Sequence, residues 1–253
     1  MDGLKHYAIT VTYDGQDFCG SQLQSGQRTV QWQLEQALKA LTGRHIRVNG
    51  AGRTDSGVSA EKQIFTFVID KEFTENTMVR ALNFYLPLDI AVQSAKEVAK
   101  DFSARYDAIS RTYIYSIINS SVRPVLERKQ AYWVACPLDI KLMQQAASLL
   151  IGEHDFASFT SGAAEREKST VRVMMRAEVS QEGPKITMIF EANSFLAHQV
   201  RNMAGALVSV GSGELTLDQF NKIIDNKIRG SFTCLPPHGL LLKSTNYRLE
   251  HGI

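Results

Sequence analysis

The order of the periodic segments in the N-terminal part of the chain restricts its fold more than any other feature of the sequence. Tyr7–Tyr13 alternates apolar and polar residues and is rich in aromatic and β-branched side chains, which predicts a strand. The predicted elements here are a strand at 7–13, a helix at 30–41 between a Thr29 cap and Gly43, strands at 46–49 and 63–70, a helix from a Thr74 cap to about residue 86, and a strand at 90–98. This order, strand, helix, strand, strand, helix, strand, is that of a ferredoxin-like or RRM-like unit. Such a sheet packs one face on its helices and leaves the other available to a ligand.

A second series of periodic segments begins near Tyr106. It predicts a strand at 111–118, a helix at 139–150, a hairpin of strands at 171–179 and 185–191, a buried helix at 195–208, a short helix at 216–225 and a final strand at 239–247. The similar order of elements predicts an α+β chain of two related RRM-like halves. We place the N-terminal half at 1–105 and the C-terminal half at 106–253.

Composition restricts the function less sharply. The net charge is +2 with a pI near 8.4, which does not by itself indicate a nucleic-acid partner. The three cysteines are far apart and form no C-x-x-C pair, so neither a disulfide framework nor a zinc site is predicted. Neither a signal peptide nor an apolar run long enough for a membrane span is recognisable, so we expect a soluble, intracellular protein.

A short loop rich in glycine, residues 50–60, lies between two strand-like runs. It carries a carboxylate, Asp55, and a guanidinium two residues before it, Arg53. One interpretation is a turn with a solvated acid, which is the commoner origin of such a cluster. The other is a nucleophile or base presented on a rigid loop at a cleft.

Two further features allow a similar choice. Tyr113 and Tyr115 are two residues apart on a predicted strand and therefore share a face, either as core aromatics or as a platform for stacking a base. Arg201 lies in a helix that is otherwise apolar, and a buried guanidinium needs a carboxylate partner. That partner is either any nearby acid or a catalytic carboxylate, which the arginine would keep ionised.

Taken together, these features resemble the TruA family of tRNA pseudouridine synthases, and the resemblance covers nearly the whole chain in the order of the family's motifs. Where many members have a histidine and an aromatic residue, this chain has Ser59 and Ser21. The motifs that carry the resemblance are Tyr13–Gly15 with Gly20 and Gln22, Thr29–Gln31, Gly52–Val58, Arg111–Tyr115, Gly152–Phe159, Phe195–Met203 and Pro236–Leu240.

The resemblance implies the pseudouridine synthase fold, in which both halves form one extended, mostly antiparallel sheet with helices on one face and a central RNA-binding cleft. It implies an isomerase that converts uridine to pseudouridine in the anticodon stem-loop of tRNA, at positions 38, 39 and 40, without a metal or cofactor. Asp55 would be the catalytic residue, paired with Arg201. The target base must be flipped out of the stem, and an aromatic side chain must hold it by stacking. We assign the stacking to Tyr113, with Tyr115 as the second choice. Arg53 would fill the space that the base vacates and hold phosphates, and Gln22 would be a further substrate contact.

The resemblance also implies a cytoplasmic homodimer that binds tRNA and has no membrane association. Two alternatives stay open: a synthase with the same chemistry at another RNA site, and an RNA-binding module without turnover. The candidate RNA-binding residues are Arg28, Arg105, Arg111, Lys168 and Arg172.

Overall fold

The computed structural model of the chain describes residues 3–160, 169–225, 230 and 232–248. Ten strands and five α-helices lie within these residues. The strands are β1 (Lys5–Tyr13), β2 (Asn49–Gly50), β3 (Ser59–Ile69), β4 (Ile90–Glu97), β5 (Ala108–Asn119), β6 (Tyr132–Val134), β7 (Gly152–Asp155), β8 (Val171–Glu182), β9 (Lys185–Ala192) and β10 (Leu240–Tyr247). The helices are α1 (Val30–Thr42), α2 (Glu75–Tyr85), α3 (Ile140–Ser148), α4 (Gln199–Gly211) and α5 (Leu217–Ile224). The predicted α+β class with mostly antiparallel strands is confirmed.

The chain divides into two compact units. The first comprises the residues up to Ile109 together with those from Leu242 onward, and the second comprises Ser110–Leu241. The predicted second half ran to residue 253, but the chain returns to the first unit at Leu242 because β10 lies next to β3 in the sheet. That pairing joins segments that are far apart in sequence, so no local sequence pattern predicts it.

The first unit has the predicted strand–helix–strand–strand–helix–strand order. Its strands follow the order β4-β1-β3-β10, with β2 also on β3, and β1 is antiparallel to both β3 and β4. The core residues Tyr7 and Phe67 face each other across the β1–β3 ladder, where their rings stack with centroids 5.9 Å apart. The second strand, predicted at 46–49, is shorter in the structure. Asn49 and the following Gly50 are its only residues that pair with β3.

The second unit is built on the order β5-β9-β8-β7, with β6 added in parallel to β5. Helix α4 is its most buried helix, and both α3 and α5 contact it. A Cβ on Gly205 would lie 1.9 Å from the Thr233 carbonyl oxygen, so the helix needs glycine there to approach the 233–235 segment. The helix begins later than predicted, because His198 adopts a left-handed conformation (φ 60°) that separates Phe195–Ala197 from it.

The helix caps agree with the sequence. Thr29, Thr74 and Asp139 each accept a hydrogen bond from a backbone N–H in the first turn of the helix they precede, and Thr216 forms a capping box with Gln219. Strands β6 and β7 were not predicted, since each has at most four residues and no clear alternation. Among the described helices, none combines the length and apolar character that a membrane span requires.

Candidate active site and RNA-binding residues

Asp55 lies in the loop that joins β2 to β3 in the first unit. The Asp55 side chain is half-buried, whereas Arg53 is exposed. The backbone turns directly after the aspartate: Val58 donates its N–H to the Asp55 carbonyl oxygen at 3.2 Å, and Gly57 adopts a left-handed φ of 80°. Glycine suits this position because a side chain with a Cβ resists that conformation.

The residue before the aspartate is the anchor of this loop. Thr54 is only 6% exposed, and its N–H donates to the Ser21 hydroxyl at 2.8 Å while its carbonyl oxygen accepts from the Ser21 N–H at 3.1 Å. The Thr54 hydroxyl also lies 2.8 Å from the hydroxyl of Tyr13, at the end of β1. Three hydrogen bonds to two other segments therefore hold the peptide that leads into Asp55.

The loop after β1 reaches the other side of the aspartate as well. The Phe18 carbonyl oxygen accepts from the Ser56 hydroxyl at 3.2 Å and from the Gly57 N–H at 3.3 Å. The Ser59 hydroxyl accepts from the Gly15 N–H at 3.0 Å, and a Cβ on Gly15 would lie 2.1 Å from the Val58 carbonyl oxygen. Only glycine allows the two loops to approach so closely at that point.

Arg28 fixes the far end of this supporting loop. Its guanidinium forms two hydrogen bonds of 2.8 Å to the Asp89 carboxylate and lies over the Phe18 ring, 4.2 Å from the centroid. The hydrogen bond to Arg28 lowers the pKa of the Asp89 carboxyl. Arg28 therefore has a structural role that the sequence did not indicate, and its contact with RNA stays a prediction.

Tyr113 lies on β5 in the second unit with a half-buried ring. Phe195, in the segment before α4, packs edge-to-face against it with the ring centroids 5.2 Å apart. Phe195 belongs to the Phe195–Met203 motif, but its contact with Tyr113 was not predicted, because 82 positions separate the two residues and the contact arises from the return of the chain along β9. Together they form an aromatic pair on this face of β5.

Tyr115, the second choice for stacking, packs inside the second unit, and its assignment as a substrate contact stays a prediction. Its side chain is fully buried, its hydroxyl donates to the Pro236 carbonyl oxygen at 2.7 Å, and burial raises the pKa of the phenol. A Cβ on Gly239 would lie 2.8 Å from the Tyr115 ring. Tyr115 is thus a core residue on which the 236–239 segment packs.

Arg201 lies in the first turn of α4 and is half-buried. Its Nε donates to the Leu235 carbonyl oxygen at 2.6 Å, and the Leu235 N–H donates to the Arg201 carbonyl oxygen at 3.3 Å. The first bond orients the guanidinium, and the second joins the backbone at Arg201 to the same residue. Arg201 and Asp55 belong to different units, and their pairing stays a prediction.

The other predicted contact residues are scattered. Gln22 and Arg105 are exposed, and Arg105 lies 5.6 Å from the Tyr106 ring centroid. Arg111 donates to the Asn193 carbonyl oxygen at 2.7 Å, and Arg172 to the Ser169 carbonyl oxygen at 2.8 Å. Lys168 lies outside the described residues. Within the described ranges, no group of three or more His, Cys, Asp or Glu residues is arranged to hold a metal ion.

Comparison with known proteins gives a consistent result. The family model described as tRNA pseudouridine synthase matches residues 9–107 and 146–248. The tRNA pseudouridine synthase A of Rhodospirillum rubrum is 40% identical over 94% of this chain and 86% of its own length. The enzymes of the same name from Coxiella burnetii and Pseudothermotoga lettingae are 40% and 41% identical over 96% of this chain, covering 94% and 100% of their own lengths.

A chain of the solved Cbf5–Nop10–Gar1 complex is a much weaker structural match. It has a TM-score of 0.31 and 9% identity, covering 79% of this chain and 54% of that chain. A likeness at this level carries no argument about the site.

Proposed function

Since this chain belongs to the tRNA pseudouridine synthase family and is therefore an isomerase that acts on uridine in tRNA, we propose that its targets are positions 38, 39 and 40 of the anticodon stem-loop and that Asp55 is its catalytic carboxylate. The reaction detaches the uracil from its ribose, turns it and rejoins it through carbon. The protein must expose the base, hold it during the turn and supply an ionised group beside the glycosidic carbon.

The observation that carries the proposal is the support of Asp55. Hydrogen bonds between Thr54, which precedes it, and both Ser21 and Tyr13 hold one side of Asp55, and the Phe18 carbonyl oxygen accepts hydrogen bonds from the two residues after it. A half-buried carboxylate on so constrained a loop is suited to chemistry, because catalytic groups need a fixed position relative to the reacting atom. A solvated surface acid needs no such support.

Asp55 must be ionised to act as a nucleophile or base, and Arg201 is its proposed partner. A guanidinium beside the carboxylate would stabilise its negative charge by a charge-assisted hydrogen bond. The hydrogen bond from Arg201 Nε to the Leu235 carbonyl oxygen supports this role, since it orients the guanidinium before pairing and so reduces the side-chain entropy that pairing would cost.

The target uridine must leave the stem, at a cost of a few kcal/mol. Tyr113 is the proposed stacking partner of the flipped base, a contact worth about 1–3 kcal/mol. Its edge-to-face contact with Phe195 supports this role, since it orients the ring before the base arrives. The exposed Arg53 is proposed to hold the phosphates and the space that the base vacates.

The test is site-resolved mapping of pseudouridine in unmodified tRNA after incubation with the purified protein. We expect product at positions 38 to 40, none with Asp55→Ala or with the isosteric Asp55→Asn, and unchanged product with Asp101→Ala, which removes an exposed carboxylate of the same unit. Product only at other positions would favour a synthase for another RNA site. RNA binding by the wild type without any product would favour a binding module.

We further infer that the protein works as a homodimer in the cytoplasm, without a metal or cofactor. These inferences rest on the family resemblance. Sedimentation velocity of the purified chain tests the homodimer. Turnover by protein dialysed against a chelator tests whether the reaction needs a metal.

A further inference from the structure

A cleft of about 480 Å³ opens in the first unit, apart from the Asp55 loop. Its walls come from the segment before β2, from β3, and from the chain after β4. None of the residues that the preceding sections assign to the reaction lines it. The side chains that matter for the following argument are His6, His45, Arg47, Thr66, Lys100 and Phe102.

The charge of this cleft has one sign. Arg47 and Lys100 line it together with the imidazole side chains of His6 and His45, and its described lining contains no aspartate or glutamate. Arg47 lies 3.5 Å from the Glu35 carboxylate, and its side chain is 60% exposed. His45 and Lys100 are exposed as well. Cationic side chains that line an open cleft without acids attract an anionic ligand.

The sheet register explains why the cleft is there. His6 faces Val68 and Ala8 faces Thr66 across the β1–β3 ladder, so these four residues share one face of the sheet, opposite Tyr7 and Phe67. On this face, Ala8 packs in a buried cluster that includes Phe102 and Ala104. The Tyr247 hydroxyl donates a hydrogen bond of 2.6 Å to the Ala104 carbonyl oxygen. His6 and Thr66 lie where this cover ends, and they remain accessible from the cleft.

We propose that this cleft binds the phosphodiester backbone of the RNA substrate, an inference that rests on the proposed function. The cations are exposed side chains on an open surface, which suits a polyanion that spans several of them. A site for a small anion would instead surround its ligand with buried donors. Thr66 and Asn49 add hydroxyl and amide groups of the kind that contact RNA phosphates and ribose.

The chain length locates the bound segment. Asn49 lines the cleft and Asp55 is six residues later, which separates their Cα atoms by at most about 20 Å at roughly 3.3–3.6 Å per residue. A duplex strand advances only a few ångströms per nucleotide, so this span is short enough for one stem-loop to contact both positions. The cleft is therefore assigned to the backbone of the same stem-loop that contains the target uridine.

The experiment compares Arg47→Ala/Lys100→Ala with a matched control, Lys39→Ala/Arg80→Ala, which removes the same charge from exposed positions on α1 and α2. Affinity for unmodified tRNA and for an isolated anticodon stem-loop is measured by fluorescence anisotropy over a range of salt concentrations. Two lost phosphate contacts should reduce the slope of log Kd against log salt by about 1.4–1.8. The advantage of the wild type should therefore shrink about tenfold between about 50 and 200 mM salt. We expect the loss with both RNAs and a kcat at saturating tRNA equal to that of the wild type.

Charge reversal with Arg47→Glu/Lys100→Glu should enlarge the loss, and thermal unfolding shows that each variant folds. A Kd and salt slope equal to those of the control pair would overturn the inference. So would calorimetric binding of inorganic phosphate or UMP that needs Arg47 and Lys100 while RNA affinity stays unchanged, since the cleft would then be a small-anion site. Pseudouridine formation by the wild type is measured separately, so its absence counts against the proposed function and an unchanged Kd counts against the cleft alone.

Discussion

Replacing Ser21 with alanine is expected to destabilise the protein and to misplace Asp55. The Ser21 side chain is 2% exposed, and its hydroxyl accepts the N–H of Thr54 at 2.8 Å. Alanine removes that acceptor without creating space for water, so a buried N–H loses its partner. The cost of such a group is about 1–3 kcal/mol in the free energy of unfolding.

Thermal unfolding and steady-state kinetics measure the two consequences. For a chain of this size, each kcal/mol lowers Tm by about 2–4 °C. Because Thr54 directly precedes Asp55, the proposed catalytic residue, kcat should fall while KM changes little, and a shift of about 1 Å in a reacting group costs up to about 10²-fold.

The matched control is Ser25→Ala, which removes an exposed hydroxyl from the same loop. It should leave both Tm and kcat at wild-type values. If Ser21→Ala and Ser25→Ala were equal in Tm and in kcat, the hydrogen bond to Thr54 would not be what holds the loop, and the account of Asp55 would be refuted.

Two other substitutions test the remaining supports of the loop. Gly15→Ala places a Cβ 2.1 Å from the Val58 carbonyl oxygen, so the backbone must move at both residues. We expect a larger loss of kcat than in Ser21→Ala. A fully active Gly15→Ala enzyme would contradict the close contact between the two loops. Asp89→Asn removes the ion pair with Arg28, which lowers the pKa of the Asp89 carboxyl in the folded protein. A lowered pKa stabilises the fold above the unfolded value of about 3.9, and this contribution is lost as the pH falls through the lower folded value. Urea unfolding as a function of pH should therefore show a weaker acid dependence below about pH 4 in Asp89→Asn, and identical curves would exclude the ion pair as a source of stability.

The parts of the fold that sequence predicted correctly depend on local interactions. The caps at Thr29, Thr74, Asp139 and Thr216 are formed within one helical turn, so the residues that make them are visible in a short window. The hairpin of β8 and β9 is similarly local, since the turn at 183–184 joins its two strands.

The features that the sequence did not predict depend mostly on contacts between distant segments. The burial of Tyr115 depends on the 236–239 segment, which reaches β5 from more than a hundred residues away. The return of β10 to the first unit depends on its place beside β3. The late start of α4 depends on a left-handed His198, a conformation that the apolar pattern through 195–208 does not reveal.

Ser21 and Ser59, where the chain departs from the common pattern of the family, now have a physical explanation. Both hydroxyls accept backbone N–H groups at about 3 Å or less, Ser21 from Thr54 and Ser59 from Gly15. One bond lies before Asp55 in the loop, and the other lies after it. These two residues therefore connect the loop after β1 to both ends of the segment that carries the aspartate, and their small side chains permit the close approach that Gly15 requires. The departures thus concern how this enzyme holds its carboxylate, and a change of target uridine has to be sought in the residues that face the RNA.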